Sequence, residues 1–192
     1  MNARLITLTL IVLLGLKGTL AASPVQQEGQ LLDQQQQALS QEGLTIAQNY
    51  RTLMNQRQGL LDQLSQLNQK TKPKDWYQLF KSFHRVSVNN TAVQQDLIAL
   101  SQNKSKKTRQ AYKNDLNQLT SVQNDYQDHL NRLTPKQGDA QAFQDRVTTL
   151  LTALDAVQQQ LDSNEQALAS YQQQVRQLKS DQRSHNVKMG KD

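Results

Sequence analysis

Cysteine is absent from the 192 residues, proline occurs three times, glycine seven times, and only nine residues are aromatic. Without cysteine there is no disulfide scaffold, no zinc-cysteine site and no thiol chemistry. Apolar residues make up 36% of the chain and mean hydropathy is −0.76. A polytopic membrane protein is therefore excluded, and so little apolar material fills only a thin core. What the chain has in abundance is glutamine, 34 residues of it, together with a basic excess of 22 Lys and Arg over 16 Asp and Glu.

The N-terminus has the layout of an export signal. Arg4 supplies the positive start, Leu5 to Leu16 (LITLTLIVLLGL) the apolar run, and Thr19-Leu20-Ala21-Ala22 the small residues for cleavage after Ala21 or Ala22. Twelve residues span about 18 Å as a helix, against the roughly 30 Å of a bilayer core. A cleaved signal is thus favoured over a permanent anchor, and the expected location is the cell envelope or the exterior. Removing residues 1–22 takes away Arg4 and Lys17 and no acid, which lowers the net charge from +6 to +4.

Pro24, Pro73 and Pro135 partition the remainder, and the segments between them carry helical apolar spacing. Over 26–70, Leu32, Leu39, Ile46, Leu53, Leu60 and Leu67 form an unbroken seven-residue column. Its companion column, Gln36, Gly43, Tyr50, Arg57 and Leu64, is mixed. Residues 91–133 start with Val93, Leu97 and Leu100, fade, and resume from Tyr112 to Leu133. Residues 139–180 hold 4-3 spacing from Phe143 through Val147, Leu150, Leu154, Val157, Leu161, Asn164, Leu168, Tyr171 and Val175 to Leu178. Seams this long predict coiled-coil packing, with Asn164 a polar residue able to set register. Segments of about 43 residues, each ~65 Å long as helices, and the short Thr134–Asp139 connection with Asp139 as N-cap predict antiparallel neighbours. The expected fold is all-α: an elongated antiparallel three-helix coiled-coil bundle over 23–181, with a short amphipathic aromatic helix (75–87) at one tip and a flexible tail over 182–192. Glutamine suits such helices, being a good helix former without charge.

Two clusters stand out as candidate sites. Within 75–87, Trp76, Leu79, Phe80 and Phe83 share one helical face, and four of the nine aromatic residues, Tyr77 included, lie within eight positions. Such a face either covers the end of the bundle or docks onto a membrane interface or another protein. The second is Lys104, Lys106, Lys107, Arg109 and Lys113, with no acid between Asp96 and Asp115. This cluster attracts anions unless it is a merely solvated lysine face. Phospholipid head groups and anionic wall polymers are its candidate ligands, and the lack of interleaved aromatics argues against nucleic acid. The three histidines (His84, His129, His185) complete no metal site, although Asp125 lies one turn before His129. There is no strand-turn-helix setting for a nucleophile and no Gly-rich phosphate loop. A non-enzymatic protein without cofactor or metal is expected.

In organisation, the chain resembles the cell-wall-binding helical proteins of Gram-positive bacteria. The similar part is the last helix after Pro135-Lys136, from Ala140 to Gln174, including Leu161-Asp162-Ser163-Asn164-Glu165-Gln166-Ala167-Leu168. Those proteins carry a lipid-modified cysteine after the signal, which this chain lacks. The resemblance implies a binding role at the envelope, engaging an anionic component, a membrane surface or a protein partner. In outline the chain is also similar to the minor-pilin components of conjugative type IV secretion systems, which implies the alternative of a structural or assembly subunit. A weaker similarity is to the basic helical periplasmic holdase chaperones, whose trimeric body needs strands not read here. The long third seam leaves room for a homo-oligomer.

Overall fold

A computed structural model describes residues 23–190. The export-signal reading and the last two residues lie outside them. Four helices and no strand occur among the described residues: α1 Pro24–Leu67, α2 Pro73–Gln102, α3 Lys106–Leu133 and α4 Ala140–Lys188. The all-α expectation is met, while the boundaries differ in three places.

The aromatic segment does not end near residue 87 but continues as α2 to Gln102. The stretch Ser87–Thr91 stays helical, with two of its side chains bonded back onto the preceding turn. Asn89 Nδ2 donates to the Arg85 carbonyl at 2.8 Å and Thr91 Oγ1 to the Ser87 carbonyl at 3.1 Å. The single segment expected over 91–133 is broken instead at Asn103-Lys104-Ser105. There Asn103 Oδ1 accepts from the Ser105 amide at 3.1 Å, and Ser105 Oγ caps α3 by accepting from the Thr108 amide at 3.2 Å. The third difference is the C-terminus, where 182–188 is the last part of α4 rather than a tail. No helix breaker intervenes before Gly190, whose φ is +65°. The α3–α4 turn follows expectation: Gly138 takes φ +102°, and Asp139 Oδ1 accepts from the Ala142 amide at 3.0 Å.

The chain divides into two compact units. In the first, Ile46–Gln166, all four helices contribute to one core of Leu64, Trp76, Leu79, Phe80, Leu130, Val147, Leu151 and Leu154. Away from that core the helices pack two by two. Leu53, Val157 and Leu161 join α1 to α4, and Val93, Leu119 and Val122 join α2 to α3. Asn164, nearly buried, donates from Nδ2 to the Ile46 carbonyl at 3.2 Å, which pins the register of α4 against α1. Where the pairs part, His84 Nδ1 lies 2.5 Å from Asp155 Oδ1, and Gln159 Nε2 donates to Asp155 Oδ2 at 3.0 Å. Both oxygens of a buried carboxylate are thereby satisfied, as burial of a charge requires.

The second unit pairs α1 up to Thr45 with α4 from Ala167 onward. Among the described residues, its buried apolar side chains are Leu32 and Leu178. Tyr171 fills the space over Gly43, where a Cβ would stand 2.8 Å from the phenol oxygen. Polar contacts join the two helices: Gln182 to Gln36 at 2.8 Å, Lys188 to Glu28 at 2.8 Å, and His185 Nδ1 to Glu28 at 3.4 Å.

Candidate functional site

The aromatic segment is core, which corrects its expected use as an exposed docking face. Trp76 (2% exposed), Leu79 (0%) and Phe80 (6%) are interior. Phe83, half-buried, meets Tyr126 edge-on with centroids 5.5 Å apart, and Trp76 lies 6.4 Å from Phe143. Of its aromatic residues Tyr77, 50% exposed, is the one that faces solvent. The reason is the central core itself. Four helix ends meet there, and the largest side chains in the chain fill the space between them. Burial also raises the Tyr126 pKa above its ordinary value, a shift partly offset by its hydrogen bond with Thr148 at 3.2 Å.

The basic residues lie at the closed end of the α2–α3 hairpin. Lys104 is in the three-residue connection, Lys106 and Lys107 open α3, and Arg109 and Lys113 follow within two turns. All five are exposed. None forms an ion pair among the described residues. The first turn of α3 contains no acid, so unpaired cations sit at the positive end of a helix dipole. That arrangement works against helix stability, yet both sources of positive potential add at the same place.

The structure adds what periodicity missed. Leu97, expected in the second seam beside Val93, is 52% exposed, and Ile98 is 59% exposed. Val93, in contrast, is buried. Thus the α2 seam narrows towards the hairpin end and leaves aliphatic side chains next to the lysines. The signal was present in the fading apolar spacing after Leu100, but exposure itself depends on which helices reach that level.

Asp125 and His129 do not pair. The Asp125 carboxylate lies 3.8 Å from Arg85, and His129 Nδ1 is buried without a hydrogen-bond partner. Among the described residues, no group of three or more potential ligands is placed to hold a metal ion, and no helix is long and apolar enough to cross a membrane. In the two-helix unit, a groove lined by Leu39, Tyr171, Val175 and Leu178 measures about 180 Å³, below the ~300–1,000 Å³ typical of ligand pockets. Comparison with protein-family models, with curated proteins and with solved structures finds no match to the chain.

Proposed function

We propose that this chain is an exported, non-enzymatic binding protein of the cell envelope or extracellular space, engaging an anionic envelope component through Lys104, Lys106, Lys107, Arg109 and Lys113. One observation carries the reading: five exposed cations, none in an ion pair among the described residues, share one end of a helical hairpin. In this reading the export signal is removed after Ala21 or Ala22. The paired seams of α1 and α4 act as an antiparallel coiled coil that carries the binding end, and the Trp76 segment serves as the plug of the core. Calorimetric titration of the exported chain with a wall-type polyphosphate polymer tests it. Binding is expected at low salt and weakens as salt rises, because phosphate contacts exchange for counterions. Replacing Lys104, Lys106, Lys107 and Arg109 by Gln abolishes it. Equal binding by the quadruple variant contradicts the proposal.

A second reading, a structural or assembly subunit, is favoured by the thinness of the two-helix unit. Leu31 (41% exposed), Leu44 (63%) and Leu168 (41%) remain uncovered there, as expected of a segment completed by another chain. A concentration series by light scattering tests it: self-association favours the second reading, and a monomer at all concentrations removes the homo-oligomeric form of it.

A further inference from the structure

The closed end of the α2–α3 hairpin has two unlike sides, and helical geometry says which residues share each. At about 100° per residue, Leu97 and Ile98 are displaced from the buried Val93 by about 40° and 140°. On α3, Leu116, Arg109, Lys113 and Lys106 are displaced from the buried Leu119 by about 60°, 80°, 120° and 140° in the same rotational sense. In an antiparallel pair, displacements of equal sense lie on the same side of the two-helix layer. Two aliphatic residues of α2 and one of α3 therefore share a side with three cations. Leu116 is itself 39% exposed. The acids that bracket this stretch are displaced in the opposite sense, Asp96 by about 60° from Val93 and Asp115 by about 40° from Leu119. One side of the hairpin end is thus aliphatic, cationic and free of acid.

The geometry points to this side as a docking surface for an anionic lipid bilayer. Leu97 and Ile98 enter the interface while Lys106, Arg109 and Lys113 meet headgroup phosphates. The inference rests on the proposed anion-binding function and names its ligand. Charge complementarity selects the sign of the surface. The uncovered aliphatic pair selects a bilayer over a soluble polymer. Cations alone hold a dissolved polyanion, whereas exposed Leu and Ile gain free energy only where an apolar phase lies just beyond the charges.

Flotation of the exported chain (residues 23–192) with vesicles of phosphatidylglycerol and phosphatidylcholine, beside titration with soluble polyphosphate, tests the inference. The wild type is expected to bind vesicles containing phosphatidylglycerol and to leave pure phosphatidylcholine vesicles unbound. The double variant Leu97→Ser/Ile98→Ser weakens vesicle binding about tenfold or more with polyphosphate binding unchanged. The triple variant Lys106→Gln/Arg109→Gln/Lys113→Gln weakens vesicle binding about fivefold per removed cation and also lowers polyphosphate binding. Tyr77→Ser, at a position equally exposed (50%) but outside this side, binds vesicles as the wild type does. Circular dichroism confirms that each variant keeps its helices. Wild-type vesicle binding by Leu97→Ser/Ile98→Ser overturns the bilayer inference and leaves the anion-binding function standing. Polyphosphate binding without vesicle binding does the same and makes a soluble polymer the occupant. Binding to neither overturns both.

Discussion

Helices α1 and α4 run through both compact units with the same seven-residue apolar spacing, yet the two stretches bury it differently. In the central core of Ile46–Gln166, Leu64, Val147 and Leu154 are at most 1% exposed, whereas Leu53 and Val157, where α1 and α4 pack only on each other, stay at 8% and 7%. In the pair of segments before Ile46 and after Gln166, Leu32 and Leu178 reach 8% and 7%, and the seam residue Leu168 stays 41% exposed. A heptad seam provides a stripe, and the number of helices around it sets how dry it becomes. Where α2 and α3 add their side chains, the stripe becomes a core. With one partner only, it stays half-wet, and polar pairs such as Glu28 with Lys188 supplement it.

The comparison is most exposed to truncation of buried leucines. Leu151→Ala is expected to cost about 2–5 kcal/mol, read as a lower midpoint in urea unfolding. Leu178→Ala, with less packed around it, costs about half of that or less. Equal losses at the two positions would break the distinction between the central core and the paired stretches.

Next in size is the polar contact where the helix pairs of the four-helix unit part. His84→Ala leaves one oxygen of the buried Asp155 carboxylate without its partner, an expected cost of about 1–3 kcal/mol. Arg85→Ala, which removes a 3.8 Å pairing between half-exposed groups, costs at most about 1 kcal/mol. Chemical denaturation of both variants at pH 7 measures the difference.

Glycine sharpens the comparison on a smaller scale. Gly59 has open space where a Cβ would go, so Gly59→Ala is expected to stabilise by about 0.5–1 kcal/mol through helix propensity. At Gly43 the same gain is opposed by the Tyr171 phenol, which must move, so Gly43→Ala gives no net stabilisation. Parallel thermal melts decide this.

Acidification reaches the two-helix unit through Glu28. The hydrogen bond and charge of Lys188, with the His185 ring 3.4 Å away, hold the Glu28 pKa below its ordinary 4.5. A depressed carboxyl pKa contributes stability that is present above the unfolded pKa and is lost as pH falls through the folded one. Below about pH 4.5, amide hydrogen exchange near Glu28 and Lys188 is therefore expected to rise before exchange around Leu151 does.

Much of this was legible in the residues. Val147, Leu154, Val157 and Leu161 lie inside as their spacing predicts, and Asn164 is the bonded polar seam residue. Periodicity grouped Trp76, Leu79 and Phe80 on one face but could not say whether that face meets protein or membrane, because an amphipathic helix has the same pattern in both settings. Tertiary company decided it, and the segment is interior. The break at Asn103–Ser105 was hidden for a different reason. It uses neither proline nor glycine, only an Asn turn and a Ser cap, residues common throughout this chain. The exposure of Leu97 and Ile98 depends on which helices surround that level, which no local pattern contains.

Under the proposed function the working end is the hairpin end around Lys104, not the aromatic segment. Amide hydrogen exchange of residues 23–192, with and without phosphatidylglycerol vesicles, tests that proposal most directly. The account predicts new protection confined to residues 97–116, with residues 76–86 unchanged. Protection centred on Trp76–Val86, or none at the hairpin end in a chain that binds the vesicles, would contradict it.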